Sequence, residues 1–468
     1  MAGDLEFLNV FQLPSAALHN HLLSGITIMK IVQSLVGGLG FVLLAGNGAY
    51  ALPAFAVQTG QPCAACHIGG FGPHLTPFGR QFKLGGYTLR AGAFTPPVSA
   101  IAITSAVHTE KDQPPPPRAH YDVNDNATLD YISAFLAGGF GTHFGSFAGV
   151  SYDGVERKFR WDHVDLRFAD TGKLFGSDVT FGLDLNNEPS GQDVWATLPV
   201  WGFPFTNSDL APHAATATVL SGAFAQGVIG ASAYAWWNSS VYGEVALYRS
   251  LSRGMLRAVG QNPDDFSLID GVAPYVRFAY QQDYGNRNFE VGAFGFFPNA
   301  FPGRDKSTGK TDSYADVGLD ASYEYLGMED IFTANARFTH EHRDLAASRL
   351  LGNASRAGNT LDEVVVNGSY YWKNLLGATI GYFRTWGSAD ALANADNRTF
   401  KPDTAGWNFQ LDVTPFRNKQ DYPTRLNLRV GLQYTLFTEF DGASKNFNGL
   451  GRSASDNNTL RLFLWQAL

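Results

Sequence analysis

From Arg425 to Phe437 the sequence reads RLNLRVGLQYTLF, and every second side chain is apolar. Leu426, Leu428, Val430, Leu432, Tyr434 and Leu436 alternate with Arg425, Asn427, Arg429, Gly431, Gln433 and Thr435. A period of two sustained over a full membrane-crossing length is a strand with one continuous apolar face. The opposite face holds two arginines and a glutamine. In a soluble sandwich these would meet solvent; in a membrane barrel they would line the lumen.

Further strands repeat the pattern. In LDEVVVNGSYYWKNLLGATIGYFRTW, Val364, Val366 and Tyr370 share a face, a turn falls at Trp372-Lys373-Asn374, and Leu376, Ala378, Ile380 and Tyr382 return on the same side. Val276, Phe278 and Tyr280, followed by Phe289, Val291 and Ala293, form a second such hairpin, and Trp407, Phe409, Leu411 and Val413 form another face. Short turns are expected near 141–145, 170–175, 283–288, 327–330, 372–374 and 415–424. Long polar or glycine-rich loops are expected near 110–127, 187–212, 251–271, 298–312, 342–361, 387–404 and 438–458. Alternating short and long connections are the mark of an outer-membrane barrel. The spacing predicts roughly sixteen strands, an even number as bacterial barrels have. The first is Val98–Thr109 and the last Thr459–Leu468, and pairing of the two removes both edges.

Composition agrees with an all-β chain in a lipid bilayer. Charged residues make up 16%, well below the usual quarter, while aromatics reach 14% and there are 51 glycines. A net charge of −8 argues against nucleic acid as a partner. The mean hydropathy of −0.12, with no apolar run of about 20 residues after the leader, excludes a helical membrane protein. Met29-Lys30, the apolar stretch Ile31 to Ala45 and the cleavage-like Ala49-Tyr50-Ala51 read as a signal peptide, so the mature chain is expected to begin near Leu52. Residues 1–28 make a poor start for such a signal, and Met29 is the alternative start.

The two cysteines of the chain stand in Cys63-Ala-Ala-Cys66-His67. The spacing C-x-x-C-H lets two thiols add to the vinyl groups of one haem and puts an imidazole beneath the iron. A zinc site lacks partners, because no other cysteine exists, and a thioredoxin-type motif would need a βαβ pattern that is not seen. One covalently bound c-type haem is therefore expected, with His67 as proximal ligand. Thr76-Pro77 reads as a helix start, Phe78 to Leu84 as a short helix and Gly85-Gly86 as its end. The roughly 45 residues from Leu52 to the first strand are at the lower limit for independent folding. They are expected to sit inside the barrel as a small haem-bearing plug. This divides the chain into a leader and signal peptide (1–51), a monohaem plug (52–97) and the barrel (98–468).

For the distal iron ligand, His108 is the first candidate. The alternation in Val98–Thr109 puts Ile101, Ile103, Ser105 and Val107 toward lipid and Ala102, Thr104, Ala106 and His108 toward the lumen. His163, which shares a face with Asp165 and Arg167, and His74 are the alternatives. Arg80 and Lys83, nearly one helical turn apart, are candidates to meet the haem propionates. An ordinary solvated side chain is the competing reading for each of these.

The run ALPAFAVQTGQPCAACHIGGFGPHLTPFGRQFKLGGYT, together with DVWATLPVWGFPF, IDGVAPYVRFAYQ, TWGSADAL, KPDTAGW and FDGASKNFNGLGRSASDNNTLRLFLW, resembles the fused monohaem cytochrome c–porin family. These are outer-membrane c-type cytochromes associated with ferrous-iron oxidation. The resemblance implies a porin-like barrel in the bacterial outer membrane and haem on Cys63, Cys66 and His67. It implies an oxidoreductase that takes electrons from extracellular Fe(II) and hands them to a periplasmic cytochrome c or cupredoxin. Three alternatives stay open: a haem-plugged porin, a conduit for another extracellular donor or acceptor, and a soluble periplasmic β-cytochrome.

Overall fold

The structure is a computed structural model and describes residues 54–92, 94, 96–417 and 426–467. The signal peptide and its cleavage site lie outside the described residues, as does Leu468. Among the described residues eighteen strands form one antiparallel sheet. They are β1 Val98–Thr109, β2 Asn126–Phe140, β3 Phe144–Asp153, β4 Lys158–Leu174, β5 Ser177–Asn186 and β6 Val228–Trp237. There follow β7 Val241–Ser250, β8 Leu268–Ile269, β9 Ala273–Tyr284, β10 Arg287–Phe296, β11 Asn299–Phe301 and β12 Asp312–Leu326. The last are β13 Asp330–Asp344, β14 Gly358–Trp372, β15 Leu376–Gly387, β16 Thr404–Val413, β17 Asn427–Glu439 and β18 Thr459–Ala467. The short β8 and β11 pair with each other in the loop region. The other sixteen make the wall, and β1 closes on β18, from Ile101 opposite Ala467 to Thr109 opposite Thr459.

Turn chemistry sets the hairpins. Phe175 and Gly176 both have positive φ, 53° and 82°, in the two-residue link from β4 to β5. This is the primed geometry whose twist matches that of the flanking strands. A short turn at 238–240, not anticipated from the sequence, joins β6 to β7. Short turns gather at one end of the barrel, with the longer link 414–426 among them, and long loops at the other, where the link from β3 to β4, residues 154–157, is brief. Most of the turn expected at 415–424 lies outside the described residues. In such barrels the short turns face the periplasm.

Along β9, Tyr275, Arg277, Ala279 and Gln281 are buried while Val276, Phe278 and Tyr280 are exposed. Leu183, Val245, Val291, Leu319 and Leu411 extend the exposed apolar surface around other strands. A closed barrel with apolar side chains outward and polar ones inward satisfies every backbone group while greasing the wall for lipid. Among the described residues no helix is long and apolar enough to span a membrane. The protein is an outer-membrane β-barrel.

In β1 Ala102 is buried as expected, but from Ile103 onward, where the register against β2 shifts, the facing is the reverse of the expectation. Ile103, Ser105, Val107 and Thr109 are buried, whereas Thr104, Ala106 and His108 are partly exposed. Ile103 packs with Phe71, Phe463 and Trp465, so an apolar partner waits on the lumen side. Apolar residues mark the lipid face only where the lumen holds water.

The lumen is filled from two directions. Residues 54–92 carry α1 (Ala54–Thr59), α2 (Cys63–Cys66) and α3 (Pro77–Leu84). Thr76 caps α3 by accepting from Gly79 N at 3.2 Å, and Gly85 ends it. The segment touches walls far apart on the barrel: Tyr87 Oη donates to Asp165 Oδ2 on β4 at 2.7 Å, and Phe71 stacks edge-on against Trp465 of β18 at 4.8 Å. The loop 187–227, expected on the outside, also turns inward. Trp195 Nε1 donates to Gln281 of β9, Leu220 N to Asp316 of β12, Val219 N to Glu341 of β13, and Arg461 of β18 to Thr206 O. Its Leu198, Leu220 and Phe224 join Tyr248, Tyr275 and Phe296 in a buried cluster, which is why the loop does not stay in water.

Candidate functional site

Pro62, extended at φ −67° and ψ 157°, leads into the single turn α2. Cys63 and Cys66 fall three residues apart and share a face of that turn. Both thiols are free and half-buried. Burial pushes the Cys63 thiol up, and pushes Cys66 up to about 11 with help from its neighbour Cys63. Three glycines with positive φ follow His67: Gly69 (71°), Gly70 (71°) and Gly72 (108°). They fold the chain back so that His67 bridges to Leu75, Ile68 N donates to His74 O at 2.9 Å, and Thr76 N donates to Cys66 O at 2.9 Å. A Cβ on Gly79 would stand 2.3 Å from Cys66 O, so α3 can lie on the motif only because that position is glycine.

The motif sits at the short-turn mouth. Ala64 N donates to Arg417 O at 3.4 Å, Gly69 N to Asn374 Oδ1 at 2.8 Å, and Asn427 Nδ2 to Gly70 O at 3.0 Å. Asn374 belongs to the short turn 373–375, Arg417 to the link that follows β16 at the same end, and Asn427 opens β17, so the periplasmic rim itself holds the motif.

His67 Nδ1 is buried and has no hydrogen-bond partner. Burial lowers the imidazole pKa to about 4; the Gly72 backbone opposes that, and the nearby Arg429 charge adds to it. The ring is thus neutral, the state in which an imidazole binds a metal. Two free thiols on one face, half open, beside a neutral and underused imidazole fit the covalent haem that C-x-x-C-H implies.

The other sequence candidates are dispersed. Arg80 and His74 converge on Glu324 of β12: Arg80 Nη1 and Nη2 donate to its two oxygens at 2.7 and 2.9 Å, and His74 Nε2 lies 3.2 Å from Oε1. Lys83 donates to Gly191 O and Asp193 O at 2.9 and 3.0 Å and lies over the Trp201 ring. Both basic side chains expected at the propionates are therefore committed to the barrel and the inner loop. His108 is at the far end of β1, with Nδ1 2.7 Å from Asp125 Oδ1, and does not meet His67. His163 faces the lumen as expected, between Phe147 and Trp201, and neither ring nitrogen has a hydrogen-bond partner. Its neighbours belong to β3, the inner loop and Glu188, not to the cysteine motif. His74 is the one alternative on the same loop as His67. Among the described residues no cluster of three or more His, Cys, Asp or Glu is arranged for a metal ion.

Among the receiving groups on the wall, sequence reasoning reads Asp165, Asn427 and Arg429 as facing the lumen but without partners, and it passes over Glu324. The available signal was polar character at lumen-facing positions of otherwise apolar strands, as with Glu324 between Tyr323 and Tyr325.

No family model matches the chain, and no curated protein matches it. Solved structures similar to it are barrels. OmpT, an outer membrane protein of Vibrio cholerae, is 10% identical with a TM-score of 0.41, covering 79% of this chain and 96% of its own. The anion-selective porin from Comamonas acidovorans is 12% identical with a TM-score of 0.43, covering 79% and 98%. The outer membrane channel DcaP of Acinetobacter baumannii is 13% identical with a TM-score of 0.43, covering 79% and 96%. The barrel assignment stands on the closed strand register of this chain.

Proposed function

We propose that this outer-membrane barrel is an electron-transfer protein, with one c-type haem held by Cys63, Cys66 and His67 at its periplasmic mouth. The observation that carries the reading is the grouping of two free thiols and a neutral imidazole at the short-turn rim of a barrel filled behind them. A bound haem would supply one-electron chemistry. The chain's own part is to orient the imidazole through the glycine loop and to keep the two half-buried thiols at the rim. Extracellular Fe(II) as donor and a periplasmic cytochrome c or cupredoxin as acceptor follow from the family resemblance. The mouth position suits the acceptor.

The test uses the protein purified in detergent after expression in a host that attaches haem. Expected is a covalent c-type spectrum that Fe(II) reduces at controlled pH. A chain without covalent haem sinks the reading. A haem that Fe(II) does not reduce removes iron as donor while leaving electron transfer. In oriented proteoliposomes, Fe(II) presented to the long-loop side alone separates an outer from a periplasmic donor. The second reading, a solute channel gated by its plug, is favoured by the barrel with its polar inner face. It predicts substantial conductance in planar bilayers, which the two inward segments oppose.

A further inference from the structure

Arg429, near the short-turn end of β17, is only 1% exposed, and its guanidinium lies along the glycine loop that follows His67. Nη2 donates to Gly69 O at 3.1 Å. On the other side Nε donates to Thr414 Oγ1 at 3.4 Å and lies 3.5 Å from Asp412 Oδ2, a carboxylate as buried as the arginine. A Cβ on Gly69 would stand 2.7 Å from Nη2, and one on Gly72 3.2 Å from Nη1. Two glycines thus let a charged fork press on the backbone of the His67 loop. Burying a guanidinium costs several kcal/mol unless it is well paired, and a single carboxylate at 3.5 Å is a loose partner. A neutral donor could hold the Gly69 carbonyl without that cost. The pair is also oriented, with the cationic fork toward the His67 loop and the carboxylate on the Nε side.

We propose that Arg429 positions the His67 loop and raises the redox potential of the haem bound there, with Asp412 opposing it. The inference rests on the haem reading of Cys63–His67. Reduction removes one positive charge from the iron, so a fixed cation nearby favours the reduced form, and the effect is strong where water is excluded. Removing the cation lowers the potential and removing its counter-charge raises it. A purely structural role for the pair would not give shifts of opposite sign.

The experiment is an equilibrium redox titration of haem absorbance on the detergent-solubilised full chain, for wild type, Arg429→Gln, Arg429→Lys and Asp412→Asn, with haem content measured alongside. Expected is a lower midpoint for Arg429→Gln, a midpoint near wild type for Arg429→Lys, and a higher one for Asp412→Asn. If Arg429→Gln does not yield folded barrel, the upward shift in Asp412→Asn carries the test. Haem present with unchanged or same-sign midpoints in the Gln and Asn variants overturns this inference alone. A wild-type chain without haem overturns both it and the haem reading.

Discussion

Arg80 of the plug helix and Glu324 of β12 form a two-pronged ion pair at 2.7 and 2.9 Å, with their side chains 3% and 0% exposed, and His74 shares the same carboxylate. One wall residue therefore anchors both the helix and the loop that carries His67. Breaking a buried pair strands a charge, which costs about 3–5 kcal/mol. Glu324→Gln is expected to loosen the plug while leaving the barrel closed. Limited proteolysis checks it: cleavage within residues 54–92 should rise sharply with the barrel core still resistant. Unchanged cleavage would show that the anchor lies elsewhere.

Gly79 of α3 packs directly on the cysteine turn. A methyl there meets the Cys66 carbonyl and must push the helix away. Gly79→Ala is predicted to lower covalent haem content at equal barrel yield, read from the haem-to-protein absorbance ratio. Full haem content in the variant would mean that the two elements can separate without disturbing the thiols.

How much of this was legible in sequence depends on what fills each side of a strand. In β17 the alternation of Leu428, Val430 and Leu432 with Arg429, Gly431 and Gln433 read correctly, because that wall has lipid outside and polar contacts inside. In β1 the same rule failed, because Phe71 of the plug supplies an apolar partner to Ile103 within the lumen. The cysteine motif and α3 were readable from local chemistry. The partners of Arg80 and Lys83 were not, since Glu324 and Gly191 are brought to them only by closure of the barrel.

Asp390 organises the outer loops. It is 2% exposed and accepts from Ser355 N at 2.8 Å and from Leu392 N and Ala393 N at 3.0 Å, tying loop 388–403 to loop 345–357. These backbone donors hold its carboxyl far below the ordinary value of 3.8 despite burial. A depressed folded value means that the carboxylate's contribution is complete above pH 3.8 and declines only as the pH falls below it. The wild-type loops are expected to resist pepsin at about pH 4. Asp390→Ala should be cut there readily, and at neutral pH by a neutral protease as well. Equal cutting of both proteins would dismiss Asp390 as the tie.

Lys83 links the two inward segments. Its ammonium donates to Gly191 O and Asp193 O and rests on Trp201, all in the loop 187–227. The plug alone therefore does not seal the barrel, because the loop crosses the lumen on its own contacts to Asp316, Glu341 and Arg461. Deleting residues 54–92 should raise conductance in planar bilayers only modestly. Deleting the inner part of the loop as well should open a pore. Lys83→Met, which keeps the chain length but removes the donors, should leave the resting conductance low and increase its flicker, since each segment keeps its own anchors. A wide, steady pore after removal of the plug alone would refute the double seal and restore the gated-channel reading.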